Sequence, residues 1–322
     1  MTSRTWRTSG AILTGNPMIT DDSHLLFIIL GPTAVGKTSL SLRIARALPA
    51  EILSADSRQF YREMKIGTAR PSDEELKAVP HHFIGHLSVF DEYNVSRFET
   101  DALRKLDELF TAGHYAVLTG GSGLYIRAVC HGIDDLPDPD PSLREKLKEI
   151  FTQDGLPALQ EKLKGLDPAF YEIVDRSNPK RLLRALEVCL TTGKPYSSLR
   201  KNVPGKRNFR TILIGLTRDK DELNNRINRR VDLMIEQGLI EEARSLYPNR
   251  NLNALNTVGY KELFRYFDGE IPLEKAIENI RTNSRRYAKR QMTWFRKEQG
   301  ITWFDAGHEE EIMKFVINNS TI

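Results

Sequence analysis

The sequence predicts an α/β fold, in which a parallel β-sheet core flanked by helices is interrupted by an all-helical insertion. Residues 25–30 are apolar throughout, as expected for a strand buried on both faces of a parallel sheet, and residues 211–216 also have strand character. Longer segments with helical spacing of apolar residues alternate with these strands. Only helical patterns occur between residues 136 and 205, which predicts the insertion.

A glycine-rich loop follows the first predicted strand. Residues 31–38 read GPTAVGKT, the pattern G-x-x-x-x-G-K-T, and a helix is predicted at 39–47. In this context backbone N–H groups converge on phosphate oxygens, Lys37 adds positive charge and the Thr38 hydroxyl can hold Mg²⁺. We therefore expect a P-loop NTPase-like core with Mg²⁺ as cofactor. The motif leaves open whether the phosphates belong to a nucleotide or to another diphosphate.

Composition and charge limit the class of protein. The 322 residues are 40% hydrophobic and 28% charged, as in globular proteins of one large domain with an insertion, or of two domains. No segment approaches the roughly 18 apolar residues of a membrane span, so we expect no membrane association and a cytoplasmic location. The net charge of +4 does not by itself imply nucleic acid. Cys130 and Cys189 lack metal-ligand spacing and predict two half-buried thiols.

Residues 1–23 lack hydrophobic periodicity and carry Arg4 and Arg7, with no acidic residue before Asp21. A transit peptide would have this charge pattern, but we favour a disordered or non-native leader because no signal-peptide apolar core is present. Met18 stands just before the first strand and is a candidate natural start.

The second predicted strand, within residues 50–59, ends in a polar cluster at Asp56. The carboxyl ends of parallel strands line the ligand crevice, so Asp56 should lie near the phosphate loop. There a carboxylate could bind Mg²⁺ through water, orient a hydroxyl or act as a general base; the alternative is a simple helix N-cap. A third strand at 115–118 ends at Thr119 and Gly120, where a nucleotide hydrolase would carry a magnesium-binding Asp.

Three histidines, His81, His82 and His86, lie close together, and the last two have helical spacing. Pro80 and Gly85 would break the helix that a zinc site of this spacing needs. We therefore do not favour zinc.

Helices are predicted at 96–112, 142–166 and 178–192, and an acidic, proline-rich boundary lies at 134–141. Residues 219–247 predict one long helix, or two helices broken at Gly238. This segment places Arg226 and Arg230 one turn apart, so that both could cover a bound diphosphate, although solvation is the default for such charges.

Residues 281–297 contain seven basic residues and no acid. Helical spacing predicts a basic outer face and an inner face formed by Ile280, Tyr287, Trp294 and Phe295. A solvated face would usually mix charge signs, so we favour nucleic-acid contact. The predicted outer face comprises Arg281, Arg285, Arg286, Lys289, Arg290, Arg296 and Lys297.

From about residue 25 to 296 the chain resembles the tRNA dimethylallyltransferase (isopentenyltransferase) family. The resemblance rests on GPTAVGKT, SADSRQFY, IGTARP, VPHH, GGSGLY, NPKRLLRALE, NTVGYKEL and KRQMTWFR, in this order. It implies an enzyme that transfers a dimethylallyl group from dimethylallyl diphosphate to N6 of the adenosine 3′-adjacent to the anticodon of tRNA, releasing diphosphate.

The resemblance also implies roles for residues. Asp56 and Thr38 are the expected catalytic residues, with Asp56 accepting a proton or a hydrogen bond from N6 and Thr38 as the metal ligand. The expected diphosphate contacts are Gly31, Pro32, Thr33, Ala34, Val35, Gly36, Lys37, Thr38, Arg226 and Arg230.

Contacts with the tRNA anticodon stem-loop are implied for four further regions and two single residues. Residues 24–135 and 206–322 are expected to form the core and 136–205 the insertion that grips tRNA; no obligate protein partner is expected. The implied tRNA contacts are Asp56, Ser57, Arg58, Gln59, Ser122, Arg144, Lys180, Arg181, Leu182, Leu183, Arg184, Asn256, Thr257, Val258, Gly259, Tyr260, Lys261, Lys289, Arg290, Gln291, Met292, Thr293, Trp294, Phe295 and Arg296.

Two other classes of protein share some of these features. A small-molecule kinase would also present a phosphate loop and Asp56, but the missing Asp at Thr119 and the basic helix argue against it. A non-enzymatic RNA-binding module would not account for the phosphate loop or for Asp56.

Overall fold

The computed structural model describes residues 24–134, 136–138, 140–200 and 205–320; the predicted leader at 1–23 lies outside them. A six-stranded, all-parallel sheet forms the centre, in the order β3-β2-β4-β1-β5-β6. The strands are β1 Leu25–Leu30, β2 Ala50–Ser54, β3 His81–His82, β4 Tyr115–Gly120, β5 Arg210–Thr217 and β6 Ile301–Asp305.

Helices cover both faces of this sheet. Their bounds are α1 Lys37–Ala47, α2 Asp73–Ala78, α3 Val95–Thr111, α4 Gly123–His131, α5 Pro141–Leu166, α6 Pro168–Ile173, α7 Pro179–Thr192, α8 Tyr196–Leu199, α9 Lys220–Glu236, α10 Leu239–Leu246, α11 Tyr260–Phe267, α12 Leu273–Phe295 and α13 Glu309–Ser320. Apolar residues of α1 and α13 pack on one face, and those of α3, α4, α10, α11 and α12 on the other. The α/β class predicted from the apolar strands is confirmed.

The central strand β1 lies between β4 and β5, and all six of its residues are buried. Its continuous hydrophobicity follows from this position, because both of its faces are covered. The phosphate loop leaves its carboxyl end, so it lies at the middle of the sheet edge where ligands of open α/β sheets bind.

Two strands were not predicted from sequence. β3 pairs only His81 and His82 with β2, too short a segment for a period to be recognised. β6 is an edge strand whose residues are half-buried or exposed, so it lacks the apolar run of the central strands. The helix break predicted as one alternative is present, because Gly238 at φ +99° separates α9 from α10.

Between α4 and β5 all regular elements in the described residues are helices, α5 to α8. They have a core of their own that includes Leu147, Leu163, Phe170 and Leu182. The predicted helix 142–166 is kinked at Gly155, which has φ +74° and ψ −170°. α7 begins after Asn178, whose side chain accepts a hydrogen bond from the Arg181 N–H, and it ends at the left-handed Gly193.

Both cysteines are unpaired, and both are buried rather than half-buried as predicted. Burial raises the pKa of the Cys130 thiol to about 12, so it is inert. In the part of the chain that the structure describes, no helix has the length and apolar character needed to cross a membrane.

Candidate active site

The phosphate loop follows the geometry that its glycines allow. Gly31 and Gly36 have φ of +149° and +120°, and a Cβ on Gly31 would lie 2.8 Å from the Leu216 carbonyl oxygen. Gly36 is also the N-cap of α1 and has no side chain that could cap the helix. The N–H groups of the first turn are thus suited to an anion.

Lys37 lies within the loop, where its ammonium group donates to the carbonyl oxygens of Gly31 at 3.1 Å and Pro32 at 2.9 Å. Burial, followed by the nearby charge of Arg230, lowers the pKa of Lys37 to about 8, while Asp56 acts in the opposite direction. An incoming anion would relieve this loss of solvation.

Arg218, which follows β5, and Arg226 and Arg230 of α9 reach the same loop. Arg218 Nε donates to the Val35 carbonyl at 2.9 Å and Arg226 Nε to the Ala34 carbonyl at 2.9 Å. Arg230 Nη1 donates to Thr33 Oγ1 at 3.3 Å, and burial, followed by Arg226, lowers its pKa. Arg218 and Arg230, whose side chains are partly buried, therefore place positive charge beside the loop, whereas Arg226 is exposed. The role of Arg226 and Arg230 toward a diphosphate stays a prediction.

Asp56 stands just beyond the end of β2, beside the loop that follows β4. Asp56 Oδ1 accepts from the Arg58 N–H at 3.0 Å, which orients the carboxylate locally. The Ser57 N–H donates to Ser122 Oγ at 3.1 Å, and the two serine hydroxyls are 3.2 Å apart. The polar ends of β2 and β4, far apart in sequence, thus meet in one place.

Asp56 and the phosphate loop open into one cleft with a volume of about 580 Å³. Its polar end includes Thr33, Asp56, Arg230 and Arg290, and Lys180 reaches it from α7 of the insertion. Its apolar wall is formed by Ile227, Val231, Met234, Val258 and Ile280. Tyr287 also lines the cleft; burial, followed by Asp56, raises its pKa to about 12, so the phenol stays protonated at neutral pH.

One wall of the cleft is the backbone of residues 67–69, and two side chains hold it. The Glu242 carboxylate accepts from the N–H groups of Lys65, Ile66 and Gly67 at 2.8 to 2.9 Å and from the Tyr260 hydroxyl at 2.7 Å. Gln59 Nε2 donates to the carbonyl oxygens of Thr68 and Ala69, each at 3.2 Å. Sequence reasoning missed Glu242 because it is separated from this loop by more than 170 residues and no local pattern marks it.

The structure separates the predicted tRNA contacts into accessible and buried side chains. Leu182 and Tyr260 are 0% exposed and Phe295 is 1% exposed, so these side chains support the core and have no surface to offer RNA. Gln291 is 5% exposed and likewise internal. Exposed members of the set are Lys180, Arg181, Asn256, Lys261, Lys289, Arg290, Thr293, Trp294 and Arg296. The half-buried ones are Asp56, Ser57, Arg58, Gln59, Ser122, Arg144, Leu183, Arg184, Thr257, Val258 and Met292.

Two arginines of the predicted set are engaged inside the insertion. Arg144 and Arg184 both pair with Glu187, which is 1% exposed, and Arg184 also donates to the Pro137 carbonyl at 2.8 Å. Arg58 Nη1 donates to the carbonyl oxygens of Asn253 and Ala254, each at 3.0 Å. These guanidinium groups therefore have structural partners besides any RNA.

Helix α12 differs from the prediction in two respects. Trp294 is 37% exposed, and it lies over Gly123, where a Cβ would be 2.2 Å from its ring. Arg281 and Arg285 are half-buried and bond Asp232 and Asn228 of α9. The neighbouring helix α9 covers that side of α12, which an isolated helical wheel cannot indicate. Arg286, Lys289, Arg290, Arg296 and Lys297 are exposed as predicted.

Zinc finds no support in the geometry. His82 Nε2 pairs with Glu51 Oε2 at 2.6 Å, and no group of three metal-ligating His, Cys, Asp or Glu side chains occurs within the described ranges.

Mg²⁺ needs no such group, because it is held by one or two protein oxygens together with water and substrate phosphates. Thr38 and Asp56, which follow β1 and β2, carry hard oxygen atoms, and among the described residues Thr119 Oγ1, on the strand β4 between those two, is buried without a hydrogen-bond partner. The donor set fits Mg²⁺.

Fold and site together define a phosphate-loop α/β protein with a cationic cleft between its core and a helical insertion. A model of the IPP transferase family matches residues 59–298. A tRNA dimethylallyltransferase of Christiangramia forsetii is 56% identical over 283 residues, covering 88% of this chain and 94% of the relative. A tRNA dimethylallyltransferase 1 of Bacteroides fragilis is 52% identical over 291 residues, covering 90% and 97%.

Two solved structures are also similar. The tRNA isopentenylpyrophosphate transferase of Bacillus halodurans aligns with a TM-score of 0.67 and 39% identity, covering 92% of this chain and 97% of the other. A eukaryotic dimethylallyltransferase described as acting on tRNA aligns with a TM-score of 0.77 and 26% identity, covering 92% and 79%. The chain belongs to the IPP transferase family.

Proposed function

We propose that the protein transfers a dimethylallyl group from dimethylallyl diphosphate to N6 of the adenosine 3′-adjacent to the anticodon in tRNA. In this reaction the bond between C1 and oxygen of the donor breaks, a bond between N6 and C1 forms, and diphosphate leaves with the electron pair. The observation that carries the proposal is the single cleft that joins the phosphate loop, Asp56 and an apolar wall.

The diphosphate is held by the phosphate loop. Lys37, Arg226 and Arg230 add positive charge where the leaving group gains negative charge, and the partial burial of Lys37 and Arg230 strengthens their interaction with it. Thr38 and the diphosphate oxygens would hold Mg²⁺, which supplies further positive charge when bound. Burial of Lys37 and Arg230 in the free protein supports this assignment, because buried cations without a partner anion are unfavourable.

The dimethylallyl chain occupies the apolar wall. Ile227, Val231, Met234 and Ile280 line the cleft beside Arg230, so a short branched hydrocarbon attached to a diphosphate meets apolar side chains there. Apolar surroundings also keep water from the allylic carbon as it becomes positively charged, which favours transfer to N6 over hydrolysis.

Asp56 acts as the general base. Adenine N6 is a poor nucleophile because its lone pair is delocalised into the ring, and it must lose a proton when the new bond forms. Asp56 lines the cleft beside Thr33 of the phosphate loop, where it can accept this proton and pass it to solvent. Because a stacked base is inaccessible, the adenosine must be flipped out of the anticodon loop into the cleft.

The exposed cations of α12 and of the insertion bind the RNA backbone. Lys289, Arg290 and Arg296 are accessible on α12, and Lys180 extends into the cleft from α7. Such contacts position the stem-loop, while base edges in the unpaired loop give specificity. The small-molecule kinase alternative has no corresponding use for this surface, and Thr119 stands at the end of β4 in place of a magnesium-binding Asp.

The test is incubation of the protein with Mg²⁺, labelled dimethylallyl diphosphate and unmodified tRNA. Label should appear on tRNA, and Asp56→Asn should lower the rate by roughly 10²- to 10⁴-fold, the usual contribution of a general base. Asp107→Asn is the matched control, because Asp107 is exposed on α3 and its amide can still accept the bond from Asn208. Transfer of phosphate from ATP to a small molecule, with no label appearing on tRNA, would refute the proposal.

A further inference from the structure

Gln291 of α12 is buried between the phosphate loop and the loop that follows β4. Its Oε1 accepts from the Thr33 N–H at 2.9 Å, and its Nε2 donates to the Gly121 carbonyl at 3.0 Å. A donor on one side and an acceptor on the other fix the orientation of the amide, since flipping it would lose both bonds. Gln291 is thus fully engaged by two separate loops.

The Gln291 side chain lies close to the backbone of the loop after β4. A Cβ on Gly121 would lie 2.1 Å from Gln291 Nε2, so a larger residue there would displace the Gln291 amide. One turn earlier on α12, Ala288 packs against Ala34 of the phosphate loop and Ile227 of α9. The basic helix therefore lies directly on the phosphate loop.

Gln291 also connects two surfaces that have different ligands in the proposed function. Its neighbours Lys289 and Arg290 are exposed on the RNA side of α12, whereas Thr33 belongs to the diphosphate side. Thr33 makes a second hydrogen bond, in which its Oγ1 accepts from Arg230 Nη1 of α9 at 3.3 Å. Since a helix moves as a rigid element, a shift or an ordering of α12 by RNA would reach the Thr33 backbone through the hydrogen bond to this amide, in addition to the packing of Ala288 on Ala34.

We propose that Gln291 is a positioning residue that couples RNA binding on α12 to the diphosphate site in the phosphate loop. With RNA bound, Gln291 holds Thr33, and with it the loop, in the geometry that binds diphosphate. The inference rests on the proposed function for the identity of the two ligands. Binding linkage then requires RNA and diphosphate to raise each other's affinity by the same factor.

The experiment measures this factor directly. The dissociation constant of inorganic pyrophosphate is determined by calorimetry with Mg²⁺, in the absence and presence of an unmodified anticodon stem-loop RNA. For the unaltered protein we expect RNA to tighten pyrophosphate binding by about fivefold or more, within the usual range of coupling. Gln291→Met keeps the volume but removes both hydrogen bonds, so the factor should fall to about one.

Gln237→Met is the matched control, since it makes the same change at an exposed glutamine at the end of α9 and should leave the factor unchanged. Gln291→Asn is one methylene shorter and cannot reach both loops, so it gives the same test if the Met variant fails to fold. The inference would be overturned by a folded Gln291 variant that keeps the full coupling factor. It would also be overturned if RNA did not change the pyrophosphate dissociation constant of the unaltered protein. Label transfer to tRNA is assayed on the same preparations: transfer with unchanged coupling refutes only the inference, and coupling without transfer refutes only the proposed function.

Discussion

Lys37 shows how the fold changes the chemistry of a single residue. Its pKa falls to about 8 because burial and the charge of Arg230 disfavour the ammonium form. A bound diphosphate favours that form and therefore raises the pKa in the complex. Below pH 8 the group is protonated in both states. Above pH 8 the free protein must take up a proton to bind, and affinity falls.

The first prediction follows from this loss of affinity above pH 8. Between pH 7 and pH 9 the affinity for pyrophosphate should fall by about tenfold more in the unaltered protein than in Lys37→Arg, whose charge does not titrate in this range. Calorimetric titration at the two pH values gives the ratio, and the comparison cancels the ionisation of pyrophosphate itself. Equal pH profiles would contradict a change of Lys37 protonation on anion binding in this pH range.

Glu242 is the residue that the structure adds to the predicted site. We expect Glu242→Gln to lower the free energy of unfolding by roughly 1–3 kcal/mol. The two carboxylate oxygens of Glu242 accept four hydrogen bonds, whereas the glutamine amide has only one acceptor oxygen. Urea unfolding measures the change. Glu241→Gln, on the exposed neighbour, should have little effect, and equal effects of the two substitutions would contradict the role of the Glu242 hydrogen bonds.

At the scale of elements, α12 combines a docking face with an exposed basic surface. The sequence predicted the helix and the exposure of most of its cations, because their spacing is a local property. It did not predict that Arg281 and Arg285 bond α9, that Trp294 is exposed, or that Gln291 is internal. Each of these depends on which neighbour covers which side of the helix.

The exposed surface of α12 gives the third prediction. Arg290→Ala should weaken RNA binding and reduce the slope of log K against log salt by about one, because one phosphate contact is lost. Pyrophosphate binding should stay close to that of the unaltered protein, since Lys37 and Arg230 remain in the loop. Filter binding over a salt series measures the slope.

Lys275→Ala is the control on the same helix, where Lys275 pairs with Glu278 near the amino end. It should leave the salt slope unchanged. A parallel loss of RNA and pyrophosphate binding in Arg290→Ala would instead assign Arg290, which also lines the cleft, to the diphosphate site.

At the scale of the whole molecule, the insertion completes the cleft by contributing Lys180. Its own packing depends on Glu187, which is buried with Arg144 and Arg184 around it. We expect Glu187→Ala to destabilise the protein by roughly 2–3 kcal/mol. This is less than the full cost of breaking a buried pair, because both arginines are partly solvated.

Urea unfolding measures this fourth prediction, with Glu172→Ala on the exposed side of the insertion as control. Label transfer to tRNA should fall along with stability, while pyrophosphate binding to the core stays intact. Loss of pyrophosphate binding in a folded Glu187→Ala protein would contradict the division of ligands between the core and the insertion.

The sequence by itself determined the apolar strands β1, β2 and β5, the phosphate loop and helix α7, and it gave the break at Gly238 as one of two alternatives. These features depend on residues within a few positions of one another, so period, glycine placement and capping chemistry suffice to predict them. Tertiary structure alone decided the edge strands β3 and β6, the meeting of Ser57 with Ser122, the Glu242 hydrogen bonds and the burial of Gln291. These contacts join residues up to 258 positions apart, and no local pattern specifies them.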